Sequence, residues 1–151
     1  MKFSQLVLLL EADEGIEVKR EYWNKAKKKL KVEEWYKDGK YHRLDGPAYQ
    51  RWDKNGQKES EMYFKDGNIH RTDSPAYQQW YKNGQKESDV YYKDGKKHRL
   101  DGPAYQRWYK NGQKDCQVYY LYGKEVQPNE FKQLHKQYNS DDLDILDDLN
   151  S

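Results

Sequence analysis

The chain has 151 residues and a net charge of +2, which suits one domain and does not make nucleic acid the default partner. Charged residues (36%) outnumber hydrophobic ones (34%), a balance close to that of disordered proteins, but aromatic residues reach 15%. Since most of these rings belong to Tyr or Trp, which pack with one edge in water, we expect a folded protein with a thin core. The one cysteine, Cys116, excludes an internal disulfide and favours a reducing, cytoplasmic setting.

Residues 1–31 are predicted to form a cap in front of the domain. Four apolar side chains have the spacing of a short helix, although a short strand is the alternative: Phe3, Leu6, Val7 and Leu10. The apolar run stops at Glu11, too early for a signal peptide or a membrane span, so no span is expected. Around Trp23 the sequence looks like a decayed half-repeat in which KAKKK replaces an Asn-Gly turn.

Three copies of a repeat with a 28-residue period occupy residues 32–126. HRLDGPAYQRW begins at His42 and again at His98, and the near copy HRTDSPAYQQW begins at His70. Glycines recur with the same step, in two series: Gly39, Gly67, Gly95 and Gly123, and Gly56, Gly84 and Gly112. Such periodicity indicates a repeat architecture whose terminal units act as caps.

Each repeat contains two turns and two strand-like stretches. The turns read Lys-Asp-Gly or Lys-Asn-Gly, which is typical of a type I turn closed by a glycine in the left-handed region. The stretch QKESEMYF alternates, with Ser60 and Met62 on one face and Glu59 and Glu61 on the other. Neither face is fully apolar, unlike the inner face of a sandwich. We therefore predict a mainly β protein, an elongated antiparallel sheet of stacked β-hairpin repeats with a short N-terminal cap and a C-terminal helix.

The C-terminal part is predicted to be a capping helix over 127–139 and an acidic tail over 140–151. Pro128 lies in the first turn of the helix, and three residues share a face that would cover the final strand: Phe131, Leu134 and Tyr138. The tail has five aspartates and neither Lys nor Arg. It is either a mobile solubilising segment or a short motif that folds into a partner's groove through leucines on one helical face: Leu143, Leu146 and Leu149.

A histidine and an aspartate recur in every copy, as candidate metal ligands or acid–base pairs: His42 with Asp45, His70 with Asp73, and His98 with Asp101. If each repeat adds two or three strands, successive histidines lie about 10–14 Å apart at ~4.8 Å per strand, too far to share one ion. We therefore predict that these side chains stabilise the bend at Leu44–Pro47 and its copies, and that no metal or other cofactor is bound. Ser74 replaces the glycine of the other copies, so this position does not require a positive φ.

Aromatic and arginine side chains of the second strand form the predicted binding surface: Tyr49, Arg51, Trp52, Tyr77, Trp80, Tyr105, Arg107 and Trp108. Such an aromatic ladder suits a protein interface, and it could also stack on a sugar or on unstacked bases. Cross-strand packing that only stabilises the sheet is the alternative. The lysines within 25–31 could contact phosphates or only keep a strand end solvated.

The segment WYKDGKYHRLDGPAYQRWDKNGQ resembles MORN-type repeats and their variant in bacterial antitoxin-like repeat proteins. The HRxDGPA block is similar to a repeat of bacteriophage and large-virus proteins, and the resemblance covers about residues 35–136. It implies a sheet of hairpins with a binding or scaffolding role and no catalytic residue.

No P-loop, nucleophile elbow, HExxH motif or cysteine cluster is present in the sequence. We therefore expect a non-enzymatic scaffold that binds another protein, either a phage accessory or structural protein or an antitoxin-like inhibitor. A glycan- or small-ligand-binding module and a single-stranded nucleic-acid binder are the alternatives. If it is encoded by a phage, the protein would act in the host cytoplasm or in the virion.

Overall fold

The computed structural model describes residues 15–136, and these form one ten-stranded antiparallel sheet, two further two-stranded hairpins and one helix. The strands are β1 (Ile16–Tyr22), β2 (Leu30–Lys37), β3 (Lys40–Tyr41), β4 (Tyr49–Trp52), β5 (Lys58–Met62), β6 (Phe64–Lys65), β7 (Asn68–Ile69), β8 (Tyr77–Trp80), β9 (Lys86–Val90), β10 (Tyr92–Lys93), β11 (Lys96–Lys97), β12 (Tyr105–Trp108), β13 (Lys114–Leu121) and β14 (Lys124–Val126). The helix, α1, is described over 128–136. The predicted antiparallel sheet of hairpins followed by a C-terminal helix is confirmed.

The main sheet is a meander in which neighbouring strands follow one another along the chain. Its order is β1-β2-β4-β5-β8-β9-β12-β13-β14, with β3 beside β2. Each repeat contributes two strands to this sheet. The short hairpins β6–β7 and β10–β11 lie between successive repeats in the chain and are not part of the main sheet. The two strands of one repeat are joined by a short turn, as antiparallel pairing allows, whereas β5–β8 and β9–β12 are joined through a short hairpin and a loop.

The two turns of each repeat differ in backbone geometry. In the Lys-Asn-Gly turn only Gly56 has a positive φ, 86°, and its N–H donates to the carbonyl of Asp53 at 3.1 Å, which fits the predicted type I turn. In the Lys-Asp-Gly turn both Asp66 (51°) and Gly67 (83°) have positive φ. Two successive positive φ angles define a type I′ turn, whose twist matches that of a two-residue hairpin. The predicted turn type was therefore wrong for the short hairpins.

A β-bulge interrupts each strand pair beside the Lys-Asn-Gly turn. Arg51 lies opposite Ser60 whereas Trp52 lies opposite Lys58, so Glu59 is the extra residue of the bulge. The alternation predicted Glu59 on the face opposite to Ser60. The bulge instead brings its carboxylate to Arg51, whose Nε donates to Oε2 at 2.8 Å.

The two surfaces of the sheet differ in what they carry. The strand register aligns six residues across one surface, which we call the tyrosine face: Tyr49, Met62, Tyr77, Val90, Tyr105 and Val118. The opposite surface, the loop face, is covered by the HRxDGP segments 42–47, 70–75 and 98–103, whose arginines stack on rings of the sheet.

The buried apolar side chains among the described residues are few and mostly small: Val18, Ala48, Ala76, Val90, Ala104, Val126 and Phe131. Glu61 and Asp89 are buried as well, and each pairs with a lysine three residues earlier, at 2.6 Å from Lys58 and 2.9 Å from Lys86. Burial of a charge is tolerated only when it is paired in this way. The interior of the sheet therefore contains paired charges as well as small apolar side chains.

The C-terminal helix packs on the last repeat through Phe131. Phe131 is buried, and its ring centroid lies 4.6 Å from that of Tyr119 in β13. Leu134 is 41% exposed, so the predicted apolar face of the helix is only partly covered. Over residues 15–136 no helix combines the length and the apolar character needed to cross a membrane. The predicted N-terminal cap residues 3–10, Tyr138 and the tail leucines Leu143, Leu146 and Leu149 lie outside the described residues.

Candidate functional site

The histidines of the repeat connect each short hairpin to the next. Each imidazole places Nδ1 at 3.1 Å from a backbone nitrogen that lies 24 residues further along the chain: Asp66 for His42, Asp94 for His70 and Tyr122 for His98. In the first two copies the same Nδ1 also lies 2.9 Å from a carboxylate oxygen, Oδ1 of Asp66 for His42 and Oδ1 of Asp94 for His70. We predicted that these side chains stabilise the bend of their own repeat. The contacts instead reach the first of the two central residues of the next type I′ turn.

At His98 the backbone hydrogen bond requires an unprotonated Nδ1, because a ring nitrogen that carries a proton cannot accept. At His42 and His70 a protonated Nδ1 would instead donate to the neighbouring aspartate carboxylate. Burial, together with the positive charge of Lys93, lowers the pKa of His98 and so favours the neutral ring. Tyr122 also packs on this imidazole, with 4.2 Å between ring centroids. Among residues 15–136 no group of three or more His, Cys, Asp or Glu is placed to hold a metal ion.

The aspartates of the repeat pair with arginines of the same segment. Arg43 Nε donates to Asp45 at 2.8 Å, and Arg99 Nε donates to Asp101 at 2.6 Å. Both guanidiniums also stack on the sheet, 4.0 Å from the ring centroids of Trp35 and Tyr91. The hydrogen bond from the neighbouring guanidinium lowers the pKa of each of these carboxyls.

Ser74 accounts for the different geometry of the middle repeat. A Cβ added at Gly46 would lie 3.1 Å from the guanidinium carbon of Arg43. Ser74 carries such a Cβ, and among the described ion pairs none joins Arg71 to Asp73; Arg71 donates to the carbonyl of Pro75 at 3.3 Å. Gly46 has no positive φ, as predicted. Glycine at this position therefore provides room for the guanidinium.

Replacing Gly102 with serine is expected to break the Arg99–Asp101 pair. A Cβ there would lie 3.2 Å from the guanidinium carbon of Arg99. The pKa of Asp101 should then rise towards its ordinary value, which a carbon-detected NMR titration measures. Because Asp101 is exposed, the free energy of unfolding should change by less than about 1 kcal/mol. Asp45 is the internal control, and an Asp101 that keeps its lowered pKa would contradict the steric explanation.

A groove of about 800 Å³ crosses β4, β5, β8 and β9 on the tyrosine face. It brings together four of the predicted binding residues: Tyr49, Arg51, Tyr77 and Trp80. Tyr105 and Arg107 lie one repeat further on the same face. The tyrosines do not form a continuous ladder, because Met62 separates Tyr49 from Tyr77 and Val90 separates Tyr77 from Tyr105.

Trp52 and Trp108 lie at strand ends, next to the Lys-Asn-Gly turns. Their carbonyl groups accept hydrogen bonds from side chains of a neighbouring repeat, Trp52 from Trp23 Nε1 at 3.0 Å and Trp108 from the Tyr81 hydroxyl at 2.9 Å. These contacts connect the outer ends of successive repeats.

The charged groups of the tyrosine face differ between copies. Arg51 pairs with Glu59, and Arg107 pairs with Asp115 at the equivalent bulge. In the middle copy Gln79 stands in place of the arginine, and its Oε1 accepts from the Tyr77 hydroxyl at 2.8 Å. Within the described part of the chain, Glu87 has no ion pair or side-chain hydrogen bond. Glu87 was not among the predicted binding residues. The replacement of the arginine by Gln79, with the acidic residue retained, could have indicated that its carboxylate lacks a partner.

No family model, curated protein or solved structure matches this chain. The resemblance to MORN-like and antitoxin-type repeats therefore stays a prediction. The contacts of the tyrosine face and the loop face are therefore the observations that bear on function.

Proposed function

We propose that this protein is a non-enzymatic repeat scaffold that binds another protein through its tyrosine face. The observation that carries this proposal is the groove, in which the half-buried Tyr49 and Tyr77 stand beside charged side chains on a hydrogen-bonded sheet, with Trp80 at the strand end that borders it. Tyr, Trp and Arg dominate protein–protein hot spots. Rings held in place by a sheet lose little conformational entropy when a partner binds. The setting would be that of a phage accessory or structural protein, or of an antitoxin-like inhibitor.

The contacts on the loop face support a structural role for the residues that most resemble catalytic groups. The Nδ1 atoms of His42, His70 and His98 contact the turn of the following hairpin, and Asp45 and Asp101 pair with arginines of their own segment. The histidine contacts join one repeat to the next, and the aspartates are held by local ion pairs. The tyrosine face is then the better candidate for a binding surface.

A glycan- or small-ligand-binding module is the second candidate. A groove of about 800 Å³ lies within the range of ligand sites. The amides of Gln79 and Asn83 line it beside Tyr77, and rings flanked by hydrogen-bonding groups suit a sugar. Nucleic acid is less well supported, because Lys82 and Lys110 lie at the exposed turns whereas the carboxylate of Glu87 lies in the groove with Tyr77, where it would repel a phosphate.

The test is capture of a partner by the tagged full-length protein in extracts of its native host. We expect Tyr77→Ala combined with Trp80→Ala to weaken capture at least about tenfold. Loss of these rings could also weaken the sheet itself. Arg51→Glu therefore serves as a second variant, because the Arg51 side chain is exposed and its replacement should not disturb the fold. The matched control is Leu44→Ser with Leu100→Ser, which removes two exposed leucines from the loop face.

Circular dichroism should first show that both tyrosine-face variants are folded. If no partner is captured, or if capture survives both changes, protein binding by this face is refuted. A glycan array on the same variants separates the second candidate. Sugar binding that disappears in the Tyr77→Ala, Trp80→Ala variant, without any captured protein, would favour the glycan module.

A further inference from the structure

The three copies of the repeat allow an internal comparison at one position of the tyrosine face. In the first copy Arg51 lies beside Tyr49 and donates to the bulge carboxylate of Glu59 at 2.8 Å. In the third copy Arg107 lies beside Tyr105 and donates to Asp115. The bulge thus forms a place where a guanidinium meets a carboxylate next to a tyrosine ring.

The middle copy retains the carboxylate and the tyrosine but has lost the arginine. Gln79 is shorter and uncharged, and its side-chain oxygen accepts from Tyr77. Glu87 is half-buried in the groove, and its negative charge adds to burial in raising the pKa of Tyr77. Glu87 therefore presents a carboxylate in the groove with no cation of the described residues in contact, and a guanidinium that reaches it can form charge-assisted hydrogen bonds.

We infer that the middle repeat receives an arginine side chain of the partner protein, whose guanidinium binds Glu87 beside Tyr77. This inference rests on the proposed function, and it specifies what the tyrosine face recognises. The guanidinium would occupy the position that Arg51 and Arg107 fill in the other two copies.

The other charges of the groove leave Glu87 as the place for a cation. Arg51 and Glu59 neutralise each other, with 2.8 Å between Nε and Oε2. Lys82 and Lys110 are exposed at the turns, where water and salt screen their charge. The planar guanidinium can bind a carboxylate with two parallel hydrogen bonds and stack on a ring, which an ammonium cannot do. Arginine is therefore preferred over lysine.

The experiment is an NMR titration of the full-length protein with the peptide acetyl-Gly-Arg-Gly-amide. We expect chemical-shift changes centred on Tyr77, Gln79 and Glu87. The same peptide with citrulline, which is isosteric but uncharged, should bind at least about tenfold more weakly, as should the lysine peptide.

Two variants test the site from opposite directions. Glu87→Gln removes the carboxylate. Gln79→Arg places the protein's own guanidinium beside Glu87, as in the other two copies. Each change should lower the affinity for the arginine peptide at least about tenfold. Asp115→Asn is the matched control, because it changes the same bulge position where Arg107 already fills the site, and it should leave affinity unchanged within about twofold. Gln79→Arg reproduces the sequence of two natural copies, so loss of folding is not expected.

Equal binding of the citrulline peptide, or unchanged binding by both Glu87→Gln and Gln79→Arg, would overturn the inference. The proposed function fails separately. A partner that is lost by the Tyr77→Ala, Trp80→Ala variant but is still bound by Gln79→Arg would leave protein binding in place and refute the arginine site.

Discussion

Replacing Phe131 with alanine is expected to lower the stability of the C-terminal repeat by roughly 3 kcal/mol, because it removes a buried aromatic side chain. In the preceding repeats, rings of the sheet are covered by arginines eight residues further along, for example Tyr91 by Arg99 at 4.0 Å. The corresponding ring of the last repeat is Tyr119, and the residue eight positions later is Gln127. Phe131 of α1 covers Tyr119 instead, at 4.6 Å between centroids. The helix thus takes the place of the HRxDGP segment of a further repeat.

Hydrogen exchange measures this effect locally. Amides of β13 and β14 should lose protection in Phe131→Ala, while those of β4 and β5 keep theirs, because a repeat protein transmits stability mainly to its neighbours. Leu134→Ala is the control, since this leucine lies on the same helix but is 41% exposed. Equal effects of the two variants, or a uniform loss of protection, would show that Phe131 is not the cap of the sheet.

Replacing His98 with alanine is expected to cost roughly 1–3 kcal/mol near neutral pH, because the Tyr122 N–H then loses its acceptor and a buried ring is removed. A histidine kept for catalysis would instead leave stability unchanged. Thermal unfolding of the variant and the wild type at matched pH measures the difference.

The cost of His98→Ala should decrease as the pH falls. Burial and Lys93 lower the folded-state pKa of His98, so the unfolded chain takes up the proton first, at about pH 6.5. The stability contributed by neutral His98 is complete above that pH and is lost as the pH falls towards the folded-state pKa. The wild type and His98→Ala should therefore differ more at about pH 8 than at about pH 5. A His98→Ala cost that grows on acidification would contradict the assignment.

The two surfaces of the sheet have different tasks if these expectations hold. On the loop face the histidines contact the turn of the next hairpin, and the arginines stack on rings of the sheet. On the tyrosine face the ion pairs are local to each bulge, and one of them is incomplete at Glu87. Binding chemistry can therefore change on the tyrosine face without loss of the connections that hold the repeats together.

The sequence by itself determined the parts of this protein that depend on local conformation. The 28-residue period placed the repeats, and the recurring Gly after Asn or Asp placed the turns, because a positive φ at these positions favours glycine. Strand alternation put Ser60 and Met62 on one face of their strand, and both lie on the tyrosine face opposite Arg51 and Tyr49. Pro128 marked the start of α1, since its fixed φ and missing N–H suit the first helical turn.

Only the tertiary structure decided which side chains meet across repeats. His42 binds a turn 24 residues away, and Phe131 covers Tyr119, because strand register and helix docking bring distant positions together. The bulge moved Glu59 to the side of Arg51, which strict alternation excludes. In the middle copy the same bulge leaves Glu87, beside Gln79, without an ion pair to any described residue. Local patterns report the period of a strand, but they do not report a one-residue bulge or a partner in the next repeat, and the candidate site depends on both.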